Sequence, residues 1–155
     1  MRFINKDIIM NRFDSPVLIS VKPHFSQLIA DGKKTVELRK KIPANLIGRK
    51  VYIYSTRPDA KIIGFFEVKS VEYLPIEDLW LRVRAVACMN ENDFFSYYSK
   101  KTTGYAIFFQ EFVSLKKPIS LCTLRKRKPG FIPPQNYHYI NPDELLKGES
   151  PKLSL

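Results

Sequence analysis

The chain has little of what metal or redox chemistry needs. Its 155 residues hold two cysteines, Cys88 and Cys122, two histidines, His24 and His138, and no CxxC pair. A four-ligand structural zinc site would have to recruit a carboxylate, an unusual donor set. Two cysteines cannot build a disulfide framework, which points to a reducing compartment. No apolar run approaches the roughly 20 residues that span a bilayer, and Met1–Asp14 lacks the continuous apolar stretch of a signal peptide. These absences lead us to expect a soluble, cytoplasmic protein with no metal, no cofactor and no membrane. Phosphate-binding glycine loops, nucleophile elbows and the HxE…PCxxC deaminase pattern are missing too. There is no repeat or low-complexity tract.

Negative charge is scarce in particular places. Lys and Arg total 26 against 15 Asp and Glu, a formal net charge of +11. Such an excess suggests a polyanionic partner without saying anything about fold. Residues 38–58 contain no acid but carry Arg39, Lys40, Lys41, Arg49, Lys50 and Arg57, with Tyr52 and Tyr54 among them. Cations interleaved with aromatic rings suit single-stranded nucleic acid, in which phosphates meet the cations and bases stack on the rings. Alternation puts both tyrosines on one face, and a core face serves equally well. A second acid-free stretch, 112–142, holds the run Arg125-Lys126-Arg127-Lys128. That run reads either as a solvated face or as a phosphate-binding arm, and polyanion binding by it would weaken steeply with salt.

Hydrophobic residues make up 45% and aromatics 13%, enough for a packed core in one domain. Residues 1–14 are aperiodic and read as an arm, 15–140 as the domain, and 141–155 as a polar, poorly ordered tail. Val17–Val21 is an apolar strand, and Lys22–Asp31 a short helix stopped by Gly32. Thr35–Arg39 alternates with period two, Val36 and Leu38 facing the core and Glu37 and Arg39 the other way. Val51–Ser55, Ile62–Tyr73 and Tyr105–Leu115 are further strands, and Gly64 marks a bulge or a close backbone approach. Ile76, Leu79, Trp80, Val83 and Val86 form one helical stripe. Asn90 with Asp93 starts another helix, filled by Phe94, Phe95, Tyr97 and Tyr98. Five or six strands with short interposed helices predict an α+β chain folded as a small mixed β-barrel.

One cluster carries possible chemistry: Gly32-Lys33-Lys34-Thr35-Val36-Glu37-Leu38-Arg39. It is either a helix stop, a solvated turn and a surface ion pair, worth little, or a cleft. In the cleft reading Lys34 meets a phosphate while Glu37 and Arg39 bond a base edge or orient each other. If the protein is an enzyme, Lys34 and Glu37 are the acid–base candidates. Tyr54, Ser55 and Tyr105 are the expected neighbours of that cleft, and Arg125, Lys126, Arg127 and Lys128 the non-specific phosphate contacts. Cys88, in an apolar helical context, reads as a core cysteine, and His24, at a helix start, as structural. An exposed aromatic patch at Phe94–Tyr98 would favour a third role, a regulatory domain acting through a protein partner.

The same residues carry a resemblance. Gly32, Lys34, Glu37 and Arg39 match the GxKxxExR signature of the ASCH domain family. The strands Val51–Ser55 and Ile62–Val68, and Gly104-Tyr105-Ala106-Ile107, are similar to the family in order. Pro133–Ile140 resembles the Pro-Pro-Gln-aromatic ending of a bacterial branch. The resemblance covers about residues 15–140. It implies a PUA-like β-barrel, a cleft floored by the signature, and RNA or a modified nucleotide as partner. It also implies two enzymatic alternatives, a metal-independent ribonuclease or an acetylcytidine-type amidohydrolase, each relying on Lys34. The amidohydrolases carry a threonine where Glu37 stands and a later helical glutamate for which Glu91 is no clear equivalent, and that departure argues against their reaction.

Overall fold

The computed structural model describes residues 15–149; the expected arm at 1–14 and residues 150–155 lie outside the described residues. Apolar, β-branched segments supply the strands. β1 (Val17–Val21) is buried on both faces because it pairs in parallel with β3 (Lys50–Ser55) and lies inside the barrel wall. Pro23 opens α1 (Pro23–Ala30), where its missing N–H costs nothing. Gly32, at φ +77°, closes α1: its own N–H bonds the Ile29 carbonyl and the Lys33 N–H bonds the Leu28 carbonyl, each at 3.0 Å. This Schellman geometry turns the chain directly into β2 (Val36–Arg39).

β4 (Lys61–Pro75) and β5 (Thr103–Ser120) form a long antiparallel hairpin, with α2 (Ile76–Val83) and α3 (Glu91–Tyr97) in its connection. Register shifts between Ile62 and Ser70 bend it. Gly64 sits at the tightest point: a Cβ there would lie 2.2 Å from the Val113 carbonyl oxygen. The sheet order is β2-β5-β4-β3-β1-β6, with β6 at His138–Tyr139. Its two ends are brought together by Arg39 of β2, whose guanidinium bonds the Ser20 carbonyl of β1 at 3.3 Å and the Asn136 carbonyl ahead of β6. The result is the mixed six-stranded barrel with short flanking helices that the alternation patterns predict.

Three apolar clusters hold it. One, inside the barrel, includes Ile19, Ile53, Phe66 and Ile107. A second packs α2 and α3 onto β2 through Leu38, Leu79, Phe94 and Tyr98. The third gathers Leu18, Tyr54, Leu124, Phe131, Leu145 and Leu146. That last cluster differs from the expected polar tail over residues 141–149. α4 (Leu121–Arg127) and α5 (Pro142–Leu145) follow β5, and Leu145 and Leu146 anchor residues 142–149 in the core. β5 also runs five residues past the expected Leu115, and Val86 lies beyond the end of α2. None of the rings Phe94, Phe95, Tyr97 and Tyr98 is exposed, so the aromatic patch expected of a protein-interaction surface is absent there.

Candidate functional site

α1, β2 and α3 enclose a cleft of about 570 Å³ whose floor is the signature segment. Lys34, Glu37 and Arg39 all line it, together with Ser20, Lys22, Phe25, Met89, Asp93, Ser96 and Tyr97. The volume falls in the range of small-molecule sites.

The Schellman turn sends Lys34 inward. Its side chain is 1% exposed, its Nζ donates to the Ala87 carbonyl at 2.8 Å, and the amine lies 5.0 Å from the centre of the Phe25 ring. Burial lowers the Lys34 pKa below its ordinary value, with the Glu37 carboxylate and Cys88 pulling the other way. The amine's direct contacts are this one hydrogen bond and the face of the Phe25 ring, so desolvation outweighs the nearby charge and shifts it toward the free amine. Glu37 is also buried, at 7% exposure, and its Oε1 accepts from the Leu38 N–H at 3.1 Å. Among the described residues it has no ion pair within 4 Å, so its negative charge acts on Lys34 through space. Arg39 is the cleft's fixed cation, held by the two backbone carbonyls that close the barrel.

α3 supplies the other wall and braces the floor. The Tyr97 hydroxyl donates to the Leu38 carbonyl at 3.4 Å and the Tyr98 hydroxyl to the Arg39 carbonyl at 3.3 Å. Burial raises both phenol pKa values, so they remain neutral donors. Lys40 lies 4.6 Å from the centre of the Tyr97 ring, placing a further cation beside that wall. The sequence pattern gives Tyr97 and Asp93 only as a ring of a short helix and as the start of that helix. Their place in the cleft depends on how α3 folds back over β2, which no local pattern encodes. Ser96 was missed for the same reason, and Phe25 and Met89 because α1 and the loop after α2 meet β2 only in the fold.

Several expected neighbours lie elsewhere. Tyr54 is 2% exposed in the cluster with Leu124, because the face it shares with Tyr52 is a core face. Ser55 is fully buried and donates to Asp59 Oδ2 at 2.7 Å, fixing the turn after β3. Tyr105 stacks on Tyr73 at 4.5 Å and lines a separate hollow. Within the basic run, Arg127 bonds the Leu145 carbonyl at 2.7 Å and pairs with Glu149 at 3.3 Å, and Arg125 bonds the Phe131 carbonyl. Those two bind the chain's own C-terminal segment, whereas Lys126 and Lys128 are exposed. Cys88 is not a helical core residue: it sits after α2 at φ +55°, half-buried, its thiol 3.4 Å from the Lys33 carbonyl. Glu91 does not line the cleft. His24 is exposed at the start of α1, its ring against Phe25. Among the described residues no three His, Cys, Asp or Glu side chains converge on a metal position, and no helix is long and apolar enough to cross a membrane.

The family model of the ASCH domain matches residues 19–117, which include the cleft floor and α3. An ASCH domain-containing ribonuclease from Zymomonas mobilis is 30% identical over 130 residues, covering 84% of this chain and 87% of the relative. A crystal structure of ASCH from Zymomonas mobilis superposes with a TM-score of 0.79 at 28% identity, covering 88% of this chain and 96% of that one. The large ribosomal subunit protein uL22 of Ureaplasma parvum is 27% identical over 118 residues, 74% of this chain but 38% of that protein. The barrel is therefore PUA-like, and the chain belongs to the ASCH domain family.

Proposed function

We propose that the protein binds single-stranded RNA in this cleft and cleaves it, with Lys34 as the general base. The observation that carries the reading is Lys34 itself: a buried amine, with a lowered pKa, on the floor of the cleft. A lysine whose pKa is lowered by burial holds more of its population as the free amine than an ordinary surface lysine does, and the free amine is the form that accepts a proton. The ribonuclease activity named for the Zymomonas mobilis relative supports the same reading.

The neutral Lys34 amine takes the proton of a ribose 2′-hydroxyl. The 2′-oxygen attacks the adjacent phosphorus, the bond to the 5′-oxygen breaks, and that oxygen takes a proton from water. The products are a 2′,3′-cyclic phosphate and a 5′-hydroxyl. Arg39 offsets the charge that builds on the phosphoryl oxygens. Glu37 raises the basicity of Lys34 and presents its free oxygen to a base edge. That oxygen is the group through which a particular base, modified or not, would be selected. DNA, lacking the 2′-hydroxyl, is bound but not cut. An RNA substrate and two unpaired cysteines fit a cytoplasmic setting. The amidohydrolase alternative draws no support from the cleft, whose floor carries Glu37 where those enzymes carry threonine and whose other carboxylate is Asp93.

The test is incubation of labelled single-stranded RNA with chelator present, across a salt series, with wild type beside Lys34→Ala. General acid–base catalysis contributes about 10²–10⁴-fold, so cleavage should fall by that order while salt-sensitive binding survives. Lys34→Arg should fail equally, since a guanidinium cannot shed its proton. Binding without cleavage by the wild type would reduce the protein to a recognition module. Unchanged cleavage in Lys34→Ala would assign the activity to a contaminant.

A further inference from the structure

Arg39, Tyr105 and Tyr73 are register partners across β2, β5 and β4. Residues directly opposite in antiparallel pairs share a face, so the three form one row, spaced about 4.8 Å from strand to strand. One end of the row is Arg39, in the cleft. The other is solvent: Tyr73 is 57% exposed, its ring stacked on Tyr105 and its hydroxyl accepting from Thr103 at 2.7 Å. Beside the row, under the 42–47 loop, lies a hollow of about 640 Å³ lined by Ile42, Ile47, Val71 and Tyr105. Neither the core nor the proposed chemistry uses Tyr73.

We infer that the Tyr73–Tyr105 stack and this hollow form a second nucleotide subsite, which takes a neighbouring base of the RNA strand held in the cleft. The inference rests on the RNA reading and extends it. An exposed, braced aromatic ring offers any base a stacking platform. The row leads to it from the cleft without a break. The approach is cationic: Lys40 and Lys41 are exposed just ahead of the hollow, and the loop above it belongs to the acid-free stretch 38–58. The nearest acid in sequence, Glu72, alternates to the opposite face and is paired with Arg82 at 2.9 Å. A protein partner would gain from the apolar hollow but not from its continuity with the cleft.

The experiment measures binding of a 2′-O-methyl oligouridylate, which has no 2′-hydroxyl to attack, beside a uridine mononucleotide. Tyr73→Ala should weaken the oligomer by about tenfold or more, the effect of losing one stacked base, and leave mononucleotide binding unchanged. Tyr73→Phe should bind both like wild type. Melting curves verify that this exposed substitution leaves the fold intact. Wild-type affinity of Tyr73→Ala for the oligomer, or equal losses for alanine and phenylalanine, would overturn the subsite while leaving the cleft standing. Failure of the wild type to bind either probe would remove the RNA reading and the subsite together. A wild-type dimer in sedimentation that Tyr73→Ala abolishes would give the hollow to a second copy of the chain and overturn the inference.

Discussion

Lys34 Nζ lies 2.8 Å from the carbonyl oxygen of Ala87, joining the approach to β2 with the loop after α2. The bond holds the amine in place without neutralising it, and the price is desolvation. Because burial lowers its pKa, Lys34 loses its proton in the folded protein at a lower pH than in the unfolded chain, where the ordinary value is 10.5. Below the folded pKa both states are protonated, and the buried charge weighs against folding. Between the folded value and 10.5 the unfolded state binds more protons, so stability rises with pH; above 10.5 the penalty is gone. Lys34→Met has no such proton. The stability of wild type relative to Lys34→Met should therefore climb as pH rises through the folded value toward 10.5, as read by urea unfolding at a series of pH values. A flat difference would mean that the amine is solvated in the folded state.

How far the sequence led is clearest at Glu37 and Arg39. Period-two alternation separates them from Val36 and Leu38, and the structure keeps that separation. Gly32 as a helix stop and Gly64 as a close approach were equally legible, because each is a local steric requirement. Asn90 caps α3 as expected, accepting from the Asp93 N–H at 2.8 Å. Tyr54 and Ser55 misled because alternation gives two faces but not which one a later element covers; α4 and α5, unrecognised in the sequence, cover that one. Tyr97 was missed for the converse reason. A helix of seven residues shows its composition but not the strand it folds back on.

Arg39 is both the cleft's cation and the tie between the barrel's ends. Lysine in its place keeps the charge but cannot reach two carbonyls with one planar fork. Arg39→Lys should lower stability by about 1–2 kcal/mol, the scale of a lost charge-assisted hydrogen bond discounted for its partial exposure, and should also weaken RNA binding. Urea unfolding and anisotropy on the same preparation check both. A variant as stable as wild type would show that β1 and β2 are held together without it.

Gly64 and Gly32 separate two reasons for glycine. At Gly64 an added Cβ would meet backbone, the Val113 carbonyl, and the Phe112 ring at 2.6 Å. The carbonyl cannot step aside without breaking the bend of the hairpin, so Gly64→Ala should cost about 3 kcal/mol or more. Gly32 has open space around it and a φ of +77°. Gly32→Ala should cost about 1 kcal/mol from the left-handed backbone and reduce cleavage further than that loss explains, since the turn aims Lys34. Equal stabilities of the two variants in urea would contradict the packing argument.

The basic run divides by what each side chain touches. Arg127 bonds the Leu145 carbonyl and pairs with Glu149, so it holds α5 and the core residue Leu145 in place. Lys126 and Lys128 face solvent. If the run serves as a phosphate arm, this exposed pair can do so without giving up a contact to the chain. Lys126→Ala with Lys128→Ala should leave urea stability within about 0.5 kcal/mol of wild type and flatten the salt dependence of RNA binding by about one to two units of slope. Arg127→Ala should do the reverse, losing stability while the salt slope holds, and Leu145→Ala should lose about 2–4 kcal/mol by opening a cavity against Leu124 and Phe131. An unchanged salt slope in the double lysine variant would leave the charge of the cleft and its approach, Arg39, Lys40 and Lys41, to account for all of the polyanion attraction.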